Sequence, residues 1–165
     1  MTNGRVEVLT YKDGLLARAA HDLLLEVQDF KLSRSGEAVK FEFRPGSLRV
    51  VGARHGENVD TNELSADQKN EIQGNIQKEI LHTDKYPVST FTGQGTPANG
   101  GYRVNGELEL VGKRVPVSFD LHMNGNVAKG QVDIQPTLWG IQPYKALLGA
   151  IKLQDKVTIR FEVAV

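Results

Sequence analysis

Val104-Asn105-Gly106-Glu107-Leu108-Glu109-Leu110 runs through Val111-Gly112-Lys113-Arg114 into Val115-Pro116-Val117-Ser118-Phe119-Asp120-Leu121-His122-Met123, and this stretch decides the fold. Successive side chains of an extended chain point to opposite faces. The apolar residues of both arms therefore share one face, and the Asn, Glu, Ser, Asp and His residues share the other. A tight turn around Gly112 joins the arms. The pattern predicts a long antiparallel hairpin with one dry face and one wet face.

The same alternation extends outward in both directions. Residues 6–11 read as a strand, stopped by the turn signal Lys12-Asp13-Gly14. Residues 15–20 fit either a helical turn or a strand entry. Leu23, Leu25 and Val27 alternate with polar neighbours, so residues 21–32 read as one long strand, followed by a turn at residues 33–36. Val39, Phe41 and Phe43 mark the next strand, Pro45-Gly46 breaks it, and residues 47–51 resume. Downstream of the helix, strands are predicted over residues 88–95, 102–111, 115–123, 127–135 and 156–165. Asn99-Gly100-Gly101 and Asn124-Gly125-Asn126 supply turns between them.

The period changes only once. Ser65-Ala66-Asp67-Gln68 has capping-box spacing, and Ile72, Ile76 and Ile80 follow four residues apart on an otherwise polar segment. This helix ends before Asp84-Lys85-Tyr86-Pro87, because a residue preceding proline avoids the helical region. A short second helix is predicted within residues 143–150. The reading is a single all-β domain over residues 1–165, with eight or nine antiparallel strands and one main helix.

One helix cannot cover so much apolar sheet. A sheet of this kind buries its dry face by curling round on itself, and an eight-stranded barrel either fills with side chains or holds one ligand. Strands of about ten residues, roughly 33 Å long, would make the interior tall and narrow. Its lining would come from Leu25, Val27, Phe41, Phe43, Phe91, Val104, Leu108, Leu110, Val117, Phe119, Leu121, Ile159 and Phe161, with Gly106 and Gly130 leaving room inside or marking bends. The implied ligand is long and apolar. The alternative is a solid, ligand-free interior, because alternating apolar positions are what any half-buried sheet shows.

Composition excludes several classes. The chain of 165 residues carries 20 basic and 20 acidic side chains, so nothing in its net charge points to nucleic acid or an anionic membrane. Without cysteine there is no disulfide framework, thiolate metal site or cysteine nucleophile. No apolar run is long enough for a transmembrane helix, and no secretory signal is evident at the N-terminus. The expected location is the cytoplasm, or the periplasm if a signal peptide has been removed. His55, His82 and His122 have no ligand-type neighbour at metal-site spacing. No phosphate loop, dinucleotide fingerprint or nucleophile elbow is present, so no catalytic residue is assigned and no cofactor is expected.

Leu81-His82-Thr83-Asp84-Lys85-Tyr86-Pro87-Val88-Ser89-Thr90-Phe91 resembles the helix-to-strand passage of YceI-like proteins. The residue 102–117 hairpin, Leu138-Trp139-Gly140-Ile141 and Asp155-Lys156-Val157-Thr158-Ile159 resemble that family's hairpin, aromatic-glycine loop and closing strand. His21 with Leu23 and Val59-Asp60-Thr61 extend the likeness forward. It departs at Pro136 and Thr137, where the family often has an arginine, and over residues 14–20. The resemblance implies an extended lipocalin-like antiparallel barrel that holds a polyisoprenoid chain, such as a prenyl phosphate or quinone tail; beside it, the apolar interior suits a fatty-acid-like lipid, and the expected role is non-enzymatic binding, transport or storage.

The polar head group of such a ligand would meet His21 and Arg18. Adjacent strand residues face opposite ways, so His21 and Asp22 cannot act as a dyad. Trp139 would serve as a lid over the cavity mouth or as a plug in the barrel end. The rival readings are a small hydrolase or isomerase using His21, and a filled barrel acting as a stress-related interaction module. The charged outer face, including Arg103, Glu107, Glu109 and Lys113, reads as a solvated surface, or as the contact of a homodimer.

Overall fold

The computed structural model describes residues 4–13, 21–143, 145–146 and 151–165. Its strands are β1 (Gly4–Lys12), β2 (Asp22–Val27), β3 (Phe30–Ser35), β4 (Ala38–Phe43), β5 (Leu48–His55), β6 (Asn58–Asp60), β7 (Ser89–Ala98), β8 (Gly101–Leu110), β9 (Lys113–Asn124), β10 (Val127–Ile134), β11 (Lys145–Ala146) and β12 (Ile151–Ala164). Helix α1 (Ala66–Asn75) lies between β6 and β7 and continues as a wider π-turn segment over Ile76–Ile80.

The hairpin that opens the sequence argument is β8–β9, with Val104 opposite Phe119 and Leu108 opposite Val115. Its turn places Val111 at φ 44° and Gly112 at φ 77°. These values belong to the tight primed turns that match strand twist. Pro116 faces Glu107 on β8, while the β9–β10 ladder spans only Leu121–Asn124 of β9. The proline therefore sits where its missing N–H interrupts no second ladder.

Strand order is β3-β4-β7-β8-β9-β10-β12-β1-β2-β5-β6, with β11 paired to β12 alone. Every pairing is antiparallel. The sheet curls into a lipocalin-like half-barrel whose two ends, β3 and β5–β6, are not laddered to each other among the described residues. Helix α1 packs beside this seam. Gln73 Oε1 accepts from Val50 N at 2.8 Å, and Gln77 Nε2 donates to Gly46 O at 3.0 Å. Two side-chain amides thus occupy backbone groups that a closed barrel would pair with a strand.

Several expectations change. Residues 21–32 are two strands, because the chain leaves its pairing with β5 and enters its pairing with β4. Gln28 and Asp29 make the crossing. Asp29 N donates to Ser47 Oγ at 2.9 Å, and Arg44 N donates to Asp29 O at 3.0 Å. The following turn is at Gly36-Glu37, with β3 running through Ser35. A hairpin over residues 55–58 adds β6. Where a short second helix was expected, Lys145–Ala146 is instead a strand paired with Ile151 and Lys152, and the rest of that segment lies outside the described residues. Twelve strands, not about eight, are therefore present among the described residues, and the all-β class holds.

The capping box forms as predicted, with Gln68 N donating to Ser65 Oγ at 3.1 Å and Ser65 N to Gln68 Oε1 at 2.9 Å. No residue of α1 is fully buried. Ile72 on α1, and Ile76 and Ile80 on the segment that follows, lie against the half-barrel without being fully buried.

Candidate functional site

The inward face of the sheet does not close on itself. Fully buried residues fall into two clusters, one around Val6, Leu25, Val27 and Val163, the other around Phe91, Val104, Leu108 and Trp139. Phe41, Phe43, Leu81 and Ile159 pack against both. Within the curve of the sheet is a cavity of about 870 Å³. Small-molecule sites span about 300–1,000 Å³, so this lumen lies at the upper end of that range.

The register explains how the lumen stays open. Gly93 and Gly106 face each other across β7–β8 on the inner surface. The ring of Phe91 lies over this pair, and a Cβ at Gly106 would stand 2.6 Å from Phe91 Cζ and 2.2 Å from Thr92 O. Gly130 does the same for Phe161, whose Cζ lies 2.7 Å from the place a Cβ would take. Glycines opposite aromatics let the rings lie flat along the wall instead of standing across the interior. Phe119 joins them, 5.4 Å from each of Phe91 and Phe161 between ring centroids. The result is a strip of aromatic wall running from β7 through β9 to β12.

Of the residues expected to line an interior, Leu25 and Val27 on β2, Phe41 and Phe43 on β4, and Phe91 on β7 border this lumen. So do Val104, Leu108 and Leu110 on β8, Val117, Phe119 and Leu121 on β9, and Ile159 and Phe161 on β12. Sequence reasoning missed the contribution of β1, through Val6 and Val8, of Leu64 before α1, of Ile72 on α1 and of Ile76 at the start of the π-turn segment. The four-residue isoleucine spacing was the available signal.

Trp139 does not border the lumen. It is buried in the second cluster and its Nε1 donates to Leu108 O at 2.8 Å. Its 3₁₀ turn, Pro136–Trp139, is tied to β12 by Thr137, which donates from its amide to Asp155 Oδ1 at 3.0 Å and from its hydroxyl to the other carboxylate oxygen. Burial pushes the Asp155 carboxyl up, but the Thr137 hydroxyl and amide outweigh it and hold the group below the ordinary aspartate value. Thr137 thus fastens the Trp139 turn to β12 at a position where the family likeness suggested an arginine.

His21 borders the lumen, with Nδ1 3.9 Å from Glu63 Oε1. The other oxygen of Glu63 lies 2.5 Å from His55 Nε2. His21 precedes β2 and Asp22 points away from it, with Oδ1 accepting from Lys12 N at 2.6 Å. Arg18 lies outside the described residues. Among the described residues no group of three or more His, Asp or Glu side chains is placed to hold a metal, and no helix is long and apolar enough to cross a membrane.

Three comparisons bear on this arrangement. BcnA of Burkholderia cenocepacia superposes with a TM-score of 0.69 at 15% identity, covering 98% of this chain and 96% of that one. A polyisoprenoid binding domain from Saccharophagus degradans, implicated in plant cell wall breakdown, gives 0.62 at 11%, covering 97% and 91%. A Campylobacter jejuni YceI protein gives 0.59 at 12%, covering 86% and 84%. Likeness at these identities concerns the fold alone. A search of curated proteins gave no match. The profile of the YceI-like domain matches residues 21–165, which includes the lumen walls from β2 to β12, and the chain accordingly belongs to the YceI-like domain family.

Proposed function

We propose that this chain binds one long apolar lipid of the polyisoprenoid kind in the lumen, without catalysis, and that it stores or carries that lipid. One observation carries the reading. Every inward apolar residue of β9, from Val115 through Val117, Phe119 and Leu121 to Met123, alternates correctly, yet none is fully buried. In a solid interior these side chains would touch protein on all sides. Val117, Phe119, Leu121 and Met123 border the lumen, and a chain laid along them would remove their free surface from water at about 0.8 kcal/mol per methylene. The similarly folded domain from Saccharophagus degradans, a polyisoprenoid binding domain, agrees with a ligand of this shape.

Calorimetric titration of lipid-stripped protein with farnesol at several temperatures tests the proposal. Saturable one-to-one binding with a negative heat-capacity change is expected, as for burial of apolar surface. No saturable heat at any temperature would overturn it.

A further inference from the structure

Between Thr61 and Ile80, Leu64 is the one fully buried side chain. It borders the lumen and belongs to the cluster around Leu25 and Val27. The chain that follows it is the helical lip of the seam. There α1 and the π-turn segment meet the half-barrel only through half-buried isoleucines and the amides of Gln73 and Gln77. A contact that fixes Leu64 therefore also seats the lip.

The preceding residue supplies that contact. Glu63 lies between two histidines, with Oε2 2.5 Å from His55 Nε2 at the end of β5 and Oε1 3.9 Å from His21 Nδ1 just before β2. Asp60 holds the backbone of the same loop, accepting from Asn62 N at 2.8 Å and from Glu63 N at 3.1 Å. On the α1 side, Lys69 Nζ donates to Thr61 O at 2.7 Å. The charged neighbours of the histidines are engaged with β1 and the β5–β6 turn. Arg54 donates to Thr10 O at 2.8 Å and to Gly56 O at 3.0 Å, and stands 4.0 Å from Asp22 Oδ2. Asp22 also accepts from Lys12 N at 2.6 Å. Glu63 is thus the carboxylate that both rings share.

The two ring contacts differ in kind. The His55 contact is a hydrogen bond that a neutral ring can also make. The His21 ring stands too far off for a hydrogen bond and attracts Glu63 only when it carries a proton. Histidine ordinarily changes charge between about pH 5 and 8, where a glutamate is ordinarily ionised.

We infer that His21, Glu63 and His55 form a pH-sensitive latch, which tightens Leu64 and the helical lip against the lumen in mild acid and loosens them as pH rises. A lipid passing through the seam exchanges more slowly in acid for that reason. The inference rests on the lumen being the lipid site and adds how access to that site is regulated.

The test is stopped-flow release of N-phenylnaphthylamine, an uncharged apolar fluorophore, from the full chain on mixing with excess farnesol. Release is expected to be about two- to fivefold slower at about pH 5.5 than at about pH 8, the scale of one exposed ion pair. About 1 M salt, where the Debye length is about 3 Å, removes most of the difference. Glu63→Gln keeps a hydrogen-bonding group without the charge, and its release rate is expected to be the same at both pH values. His21→Gln combined with His55→Gln gives the same flat profile. A parent rate that is indifferent to pH or faster in acid, or a difference retained in full by either variant, overturns the latch while leaving the lumen as the lipid site. Failure of both the fluorophore and farnesol to bind at either pH removes the reading on which the latch rests, and the latch with it.

Discussion

Replacing Val132 by phenylalanine separates a hollow interior from a solid one by the sign of its effect. Val132 lies on β10 opposite Ile159, borders the lumen, and is only partly buried. A closed apolar void of about 150 Å³ already accepts a benzene molecule. The lumen here holds about 870 Å³, so a phenyl ring in place of the isopropyl group has room without displacing a neighbour. Each added carbon removed from water contributes up to about 0.8 kcal/mol, but much of the new ring would still face the lumen. The net expectation is a gain of about 0 to 1 kcal/mol, or a Tm unchanged to about 3 °C higher for a chain of this length. Urea denaturation and calorimetry on lipid-stripped protein measure it. In a packed interior the same change forces side chains off their rotamers and costs about 1–3 kcal/mol. A loss of that size would refute the hollow reading.

Gly106→Val is expected to cost about 3 kcal/mol or more and to lower soluble yield, because the new Cβ meets the backbone oxygen of Thr92, which cannot swing aside. His82→Gly is expected to stabilise by about 0.5–1 kcal/mol in urea unfolding. His82 is exposed just past the end of the helical segment at φ 45°, a left-handed position where a side chain is strained. Asp155 supplies a pH test. Its folded carboxyl titrates below the ordinary value, so its stabilising effect is complete above the unfolded pKa of about 3.9 and disappears as pH falls through the lower folded value. Asp155→Asn should therefore be less stable than the parent at neutral pH, with the difference shrinking in acid. A constant gap across that range would refute this role.

The inner face of the sheet was legible because its strands obey period two strictly, from Val104 to Met123 and from Val157 to Val165. The seam was missed, because residues 21–32 read as one long strand, although the sequence carries a signal for it. Leu23, Leu25 and Val27 fall on odd positions, whereas Phe30 and Leu32 fall on even ones. That change of parity is where β2 ends and β3 begins, and hence where the barrel opens. The β5–β6 hairpin was not readable, because Gly56-Glu57 links segments too short to establish a period. Trp139 read equally as a lid or as a plug, and the sequence did not show its burial against β8. Its hydrogen bond to Leu108 O joins residues far apart in sequence, and only the curl of the sheet brings them together.

Native mass spectrometry of the purified chain, before and after incubation with a molar excess of farnesol or geranylgeraniol, tests the central claim most directly. The account predicts a single lipid adduct of a few hundred daltons, retained under gentle ionisation and lost when the protein is unfolded. Only the bare chain, under every loading condition, would contradict it.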